Sequence, residues 1–537
     1  MTRYLFCILL LSGSAQAQLK YLVEDFEGYA NGGIDLAKNG VFTYGNANAS
    51  IVNAGAPPVS NGKRDHLGQR ALRISKKNNE EYAGLGKGTS VLIQLDVVTD
   101  EVCFYMRAKC ANSKNIKISL QEDDNSDKIF KQEDDDQWIH QYKVKPSVGE
   151  EWQLVSLPLQ QFSDETKGGD GIFNCNYKDG RLLCLLISFD RSTLLKEGEW
   201  VDLDFICFSK GDLMKDTPKG DGCALGLWSA EGNQANFIEI ATSFEKMFGK
   251  EKKLAVIHFF QPFSTDGTDQ LSQYPSVERV NKILDQGYTP MITLENHYVN
   301  VNSKMKQPNL YSIIEGHMDP FFAKWANEVK QMKGTVWVRI LHEFNGDWYP
   351  WCIVNNDRDP DLFIKAYRHI HNIFTDHGAE NVRFVWCPNS MSIPQESWNF
   401  IMDAYPGDAY VDIVGMDAYN GAGDATLWRS FRNVAAENYF LFANEIPSKP
   451  IVICETASRE RGGGEAGPAQ TKADWISQLS ETLQSDMTQI KLLTWFNEKS
   501  TFKLNSSSSS KRSYAEGIVK PYYFKSGTST LNVLTEN

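Results

Sequence analysis

Two glutamates close short apolar runs far apart in the chain. One lies in Arg339-Ile340-Leu341-His342-Glu343-Phe344-Asn345-Gly346-Asp347-Trp348-Tyr349-Pro350-Trp351, the other in Ile451-Val452-Ile453-Cys454-Glu455-Thr456. Side chains alternate along extended backbone, so Arg339 and Glu343 are expected on one face, and Ile451, Ile453 and Glu455 on one face. A carboxylate at the end of an apolar strand is costly unless it is paired or used. Two carboxyls facing each other across a cleft suit glycosidic bond cleavage. One protonates the leaving oxygen, and the other attacks the anomeric carbon or activates a water. Their pKa values must be pushed apart, and Arg339 or His342 could do part of that. A structural ion pair is the competing reading for either glutamate alone. The flanking His342, Asn345, Trp348, Tyr349 and Trp351 weigh towards catalysis for the pair.

Such a pair needs a frame. From Ala224 onward, apolar strand cores alternate with helical patterns. The cores are Ala224–Ser229, Leu254–Gln261, Thr289–Glu295, Val336–Leu341, Val382–Trp386, Val411–Met416, Ile451–Cys454 and Lys491–Phe496. Helical periodicity appears near Asn236–Phe248, Val277–Gln286, Phe321–Lys333, Leu362–His377, Leu427–Ala443 and Lys472–Gln484. This predicts an α/β fold, a (β/α)8 TIM barrel over residues 223–537. An open parallel sheet is the alternative, but no Gly-rich phosphate turn follows the first strand. Function in such a barrel sits at the C-terminal strand ends, so Glu343 after the fourth strand and Glu455 in the seventh can meet at its mouth. Ser506–Ser510 reads as a flexible loop.

Residues 18–210 read as all-β, with short strands separated by Gly, Asn, Asp and Pro. The candidates are Tyr21–Phe26, Ala71–Lys76, Ser90–Val97, Glu101–Ala108, Ile116–Gln121, Trp152–Leu157, Leu182–Phe189 and Trp200–Ser209. They predict a jelly-roll-like sandwich. Residues 211–222 form a polar, Gly- and Pro-bearing linker. Residues 1–17 read as an export signal: Arg3, an apolar run Leu5–Leu11, and Ala15-Gln16-Ala17 as a cleavage site. The apolar run is too short to span a membrane, so the chain is expected outside the cytoplasm, periplasmic or extracellular.

The formal net charge is −13, which argues against nucleic acid as a partner. Aromatic residues make up 12%, with 13 Trp and 21 Tyr, a composition that suits stacking on sugar rings or large aromatic cores. The nine cysteines beyond the signal include no CxxC, which argues against zinc. One or two disulfides stay open. The acidic clusters Glu122–Asp127 and Glu133–Asp136 could hold calcium or be solvated loops. The two-carboxylate chemistry itself calls for no metal or cofactor.

The segment Arg339–Trp351 resembles the fourth-strand signature of glycoside hydrolase family 26, R-x-x-H-E-x-N-G-x-W-x-x-W. Val411–Asn420 (VDIVGMDAYN) resembles the family's sixth-strand segment, Lys449–Glu455 its nucleophile segment, and Thr494-Trp495-Phe496 its eighth strand. The resemblance implies a clan A barrel and a retaining enzyme, with Glu343 as acid/base and Glu455 as nucleophile. It also implies that Tyr419 hydrogen-bonds the nucleophile, that Trp495 floors the cleaved sugar, and that Arg339 and His342 order the carboxylates and substrate. His297 resembles the family's sugar-binding histidine, and Trp348 and Trp351 its stacking residues. Retention implies carboxyls about 5–5.5 Å apart. The substrate implied first is β-1,4-mannan, with mixed-linkage β-1,3-1,4-glucan close behind, because Pro350 and Cys352 depart from the common mannanase pattern. A non-catalytic glycan-binding barrel is the rival from another class. The N-terminal sandwich is similar in position to a carbohydrate-binding module, with Trp138, Tyr142 and Trp152 as candidate stacking residues.

Overall fold

The computed structural model describes residues 18–29, 40–55, 68–78, 80–89, 93–147, 151–166, 168–175, 181–189, 194–211, 213, 222–230, 236–247, 252–262, 274–295, 307–421, 428–460, 471–498, 502–520 and 522–523. The expected export signal, His297 and most of the expected linker lie outside these residues. Among the described residues, no helix is long and apolar enough to cross a membrane.

The N-terminal part is a β-sandwich. Its strands are β1 (Gln18–Glu24), β2 (Val41–Gly45), β3 (Ala47–Asn53), β4 (Arg70–Lys76), β5 (Ala83–Gly88) and β6 (Asp100–Lys109). They continue as β7 (Lys114–Asp123), β8 (Gln137–Val144), β9 (Gln153–Pro158), β10 (Ser163–Asp164), β11 (Arg181–Phe189) and β12 (Trp200–Lys210). One six-stranded sheet runs β3-β4-β12-β6-β9 with β1 added on β12, and the other runs β10-β8-β7-β11-β5-β2. Leu203 and, beyond an irregularity in β12, Phe208 on one sheet, and Ile118, Leu120 and Ile187 on the other, fill the core between them.

Seven of the eight strands read from the sequence are present; of the one expected at Ser90–Val97, residues 93–97 are described and are not strand. Its place in the sheet belongs to β5, AGLGKG, whose glycines argue against a strand on propensity alone. Neighbouring rings supply the missing side chains: Phe42 lies across Gly86 and Tyr44 across Gly84, the residues they pair with in register. Strands β2, β3, β8 and the short β10 were also not anticipated.

The C-terminal part is a closed, parallel eight-stranded barrel. It comprises β13 (Ala224–Ser229), β14 (Val256–Gln261), β15 (Thr289–Leu294), β16 (Val336–Arg339), β17 (Val382–Trp386), β18 (Ile413–Asn420), β19 (Ile451–Ser458) and β20 (Ile490–Asn497). Helices α1 (Phe237–Glu245), α2 (Val277–Asp285), α3 (Leu310–Ile314), α4 (Asp319–Val329), α5 (Pro360–Asp376), α6 (Phe431–Glu445), α7 (Lys472–Ser485) and α8 (Ser508–Ile518) surround it. All eight expected strands are there. The serine run is not a loop throughout: Ser507 caps α8, its hydroxyl accepting from the Ser510 amide at 3.1 Å. Serine is a strong N-cap because its oxygen satisfies an amide the helix leaves open.

Sandwich and barrel are joined by buried polar contacts. Asp25, after β1, accepts from Asn433 Nδ2 at 2.7 Å, from Ser430 Oγ at 3.3 Å and from Arg432 at 3.3 Å, all at the start of α6. Arg432 also pairs with Asp486 at 2.7 Å. The nine described cysteines are all free.

Candidate active site

Period 2 along the barrel strands builds the site in layers. Val256, Met291, Trp337, Val385, Val452 and Leu492 fill an apolar interior layer. Two residues further along, the same inward face carries His258, Thr293 and Arg339. Arg339 is wholly buried and acts as the hub. Its Nε donates to Thr293 Oγ1 at 2.7 Å. One terminal nitrogen donates to both oxygens of Asp417 at 2.7 Å, and the other donates to Glu455 Oε1. A guanidinium is suited to this because its fixed fork matches carboxylate geometry.

Glu455 reaches the interior through a β-bulge. Its neighbours Ile451 and Ile453 pack outward against the helix layer, while Val452 and Cys454 face inward. Strict alternation would therefore send Glu455 outward with Ile453, and the expected common face does not hold. In the ladder with β18, Ile453 pairs with Met416 and Glu455 with Asp417, so Cys454 is the extra residue. An extra residue reverses the side-chain parity beyond it. Glu455 thus points at Arg339, and its Oε2 accepts from the Tyr419 hydroxyl.

Glu343 arrives by a different route. Strand β16 ends at Arg339, and Leu341 and Glu343 both take left-handed backbone, with φ of 49° and 52°. Such conformations are uncommon for residues with a Cβ and concentrate at functional sites. The Glu343 amide donates to Cys387 O at 2.8 Å, which ties the turn to the end of β17. Its side chain accepts from Trp348 Nε1 at 2.8 Å. Burial first, and then the charge of Glu455, raise the Glu343 pKa to about 7, while Arg339 and the Trp348 hydrogen bond pull it back. Two carboxyls in unequal surroundings, one raised by burial and the other bonded by Arg339 and Tyr419, are an arrangement able to divide acid and nucleophile roles.

The other expected residues divide. His342 is buried against Tyr349, with ring centroids 4.8 Å apart, and its Nδ1 is buried without a partner. Burial and then Arg339 hold its pKa well below the usual histidine range. Trp348 is 42% exposed beside Glu343, its ring edge-on to Tyr349 at 6.4 Å. Trp351 is not a stacking residue: it is wholly buried, stacked on Tyr349 at 4.5 Å, and donates to His342 O at 2.8 Å. Trp495 is not a floor for sugar either. Leu492 faces inward, so Thr494 and Phe496 follow it, and Trp495 faces the helices between Trp475 and Tyr514. Its indole donates to Phe502 O at 3.1 Å. In the sandwich, Trp138 packs edge-on to Phe173, Tyr142 packs on the core, and Trp152 lies under Arg107.

Three members of the site were missed: His258, Thr293 and Asp417. Each is a polar residue inside an apolar strand, and that mismatch was the available signal. His342, Glu343 and Asp417 have potential ligand atoms within 4.8 Å of one another. A divalent cation there would meet the Arg339 guanidinium already on both Asp417 oxygens, and like charges repel.

Residues 277–457 match the sequence profile of Glycosyl hydrolase family 26. Endoglucanase H of Acetivibrio thermocellus is 30% identical over 304 residues, 55% of this chain and 30% of that protein. A mannan endo-1,4-beta-mannosidase of Bacillus subtilis is 34% identical over 127 residues, 22% of this chain and 34% of that protein. The chain thus spans about a third of the length of these curated relatives. The GH26-CBM35 beta-(1,4)-mannanase of Podospora anserina is a solved structure 13% identical, covering 90% of this chain and 98% of its own, with a TM-score of 0.42.

Proposed function

We propose that this chain, whose barrel carries a glycosyl hydrolase family 26 domain, is an exported, retaining endo-glycoside hydrolase acting on β-1,4-mannan. The observation that carries the reading is the unequal environment of the two glutamates. Glu455 accepts from the Arg339 guanidinium and the Tyr419 hydroxyl, whereas burial and the neighbouring Glu455 raise the Glu343 pKa to about 7.

In the first step, a Glu455 oxygen attacks the anomeric carbon while the Glu343 proton passes to the departing glycosidic oxygen. The bond to the leaving sugar breaks and a glycosyl ester forms. In the second, Glu343, now a carboxylate, takes a proton from water as that water attacks the anomeric carbon. The ester breaks, and Glu455 returns to a carboxylate. Loss of the Glu455 charge in the intermediate lowers the Glu343 pKa, which suits its change from acid to base. Asp417 and Thr293 position Arg339, and Trp348 offers a ring to a sugar beside the cleavage point.

Two observations favour a β-glucan as a second reading. Of the two curated relatives described, the one that covers more of this chain is an endoglucanase, and Pro350 and Cys352 depart from the usual mannanase pattern. In either case the sandwich acts as the glycan-binding accessory, through the exposed Phe42, its neighbour Tyr44 at 6.4 Å, and the exposed Tyr82. Reducing-end release on galactomannan, glucomannan, barley β-glucan and β-1,3-xylan tests the reading, with Glu343→Ala and Glu455→Ala alongside. Release from both mannans, lost in both variants, is expected. Release from β-glucan alone favours the second reading. Binding without release by a folded chain would overturn both in favour of a glycan-binding protein.

A further inference from the structure

Three carboxylates converge in the sandwich, on elements separate from the barrel strands. Glu122 lies near the end of β7, Asp124 just beyond it, and Asp136 immediately before β8. Potential ligand atoms of the three lie within 4.8 Å of one another. Glu122 and Asp136 are fully buried. Among the described residues, no lysine or arginine pairs with any of the three.

Their known hydrogen bonds leave one set of oxygens over. Glu122 accepts from the Trp138 indole at 2.8 Å and from the Asn174 amide at 2.9 Å. Asp124 Oδ2 accepts from the Asp136 amide at 2.9 Å, and Asp136 Oδ2 from the Gly171 amide at 2.8 Å. The Oδ1 atoms of Asp124 and Asp136 are buried without a donor. So is the side-chain oxygen of Asn174, a neutral amide contributed by a different segment whose backbone already bonds Glu122. Gly169 closes the group: a Cβ there would stand 2.1 Å from Asp136 Oδ1 and 2.6 Å from Asp124 Oδ2. Burial, and then mutual repulsion, raise the pKa of Asp124 to about 6. Burial raises Glu122 to about 8.

Buried oxygens with neither a donor nor a counter-charge are expensive. A set made only of oxygens, three of them carboxylates, suits a hard divalent ion, and irregular spacing across two loops suits calcium better than magnesium. We propose that Glu122, Asp124 and Asp136 form a calcium site that fastens the segment before β8 to residues 168–175, whose Gly171 and Asn174 amides already bond Asp136 and Glu122. The loop between Asp124 and Asp136 also reaches the barrel, where Lys128 pairs with Glu396. Calcium therefore orders a contact between the two halves of the chain.

The full chain, stripped with chelator and dialysed, is titrated with CaCl2 by calorimetry and melted with and without the ion. Binding with Kd below about 1 mM is expected, in the range of extracellular calcium modules, together with a higher Tm. Terbium supplies a local probe, because Trp138 touches Glu122 and can sensitise its emission. Asp136→Asn should abolish both the heat and the emission in a chain whose circular dichroism is unchanged. Trp138→Phe should lose emission and keep calcium binding. The proposal is overturned if the stripped wild type shows no calcium heat and no Tm shift at about 10 mM, far above that range. Binding that survives in both Asp124→Asn and Asp136→Asn overturns it equally.

Discussion

The indole N–H of Trp348 donates to Glu343 at 2.8 Å, which couples an exposed aromatic to that carboxyl. A hydrogen bond to a carboxylate favours its charged form and lowers its pKa. Trp348→Phe keeps a ring for the sugar and removes the donor. The alkaline limb of the pH–rate profile should then move above its wild-type position near pH 7. Trp348→Ala should move it likewise and raise KM as well. A limb that stays fixed in both variants would contradict the arrangement.

Glu343 also costs stability at high pH. Its folded pKa of about 7 lies above the ordinary 4.5. The fold is therefore favoured fully below about 4.5, and this contribution is lost as pH rises through 7. Glu343→Gln, which cannot ionise, should melt higher than wild type at pH 8. The difference should shrink towards zero at pH 4. Melting curves at several pH values check this.

Arg339 pairs with two buried carboxyls at once. Arg339→Met should cost about 3–5 kcal/mol, the range for breaking a buried pair and stranding the partner's charge. Adding Asp417→Asn should recover part of that loss, because one stranded charge disappears. Urea unfolding of the single and double variants measures both. Equal stability of wild type and Arg339→Met would contradict the hub.

Trp495 and Trp348 should separate in kinetics. Trp495→Phe removes the indole donor to Phe502 and packing volume among Trp475 and Tyr514. It should lower the Tm and leave KM nearly unchanged. Trp348→Ala should raise KM with little change in Tm. The reverse pattern would restore Trp495 to the sugar floor.

The barrel was legible because eight apolar cores recur with helical periodicity between them, and a closed parallel sheet buries both faces of its strands. Glu343, Glu455 and Tyr419 were legible because they end those cores. What alternation could not supply was the extra residue at Cys454, which reverses the parity before Glu455, or the left-handed turns at Leu341 and Glu343. Trp495 failed for the opposite reason: β20 keeps strict parity past Leu492, so a residue in the right segment faces the wrong layer. Asp417 was inside a quoted segment, but its partner Arg339 comes from a strand distant in sequence. In the sandwich, β5 was illegible because its glycines are covered by Phe42 and Tyr44, a relation that exists only after pairing.

The central claim is that Glu455 attacks and Glu343 gives and retakes a proton, which requires the anomeric configuration to be retained. Proton NMR of the first minutes of hydrolysis, on whichever β-linked polysaccharide the chain cleaves, reads this directly. The account predicts that the β-anomer of the new reducing end appears first and the α-anomer grows in only by mutarotation. An α-anomer formed first would mean direct attack by water and would contradict the assignment of Glu455 as nucleophile.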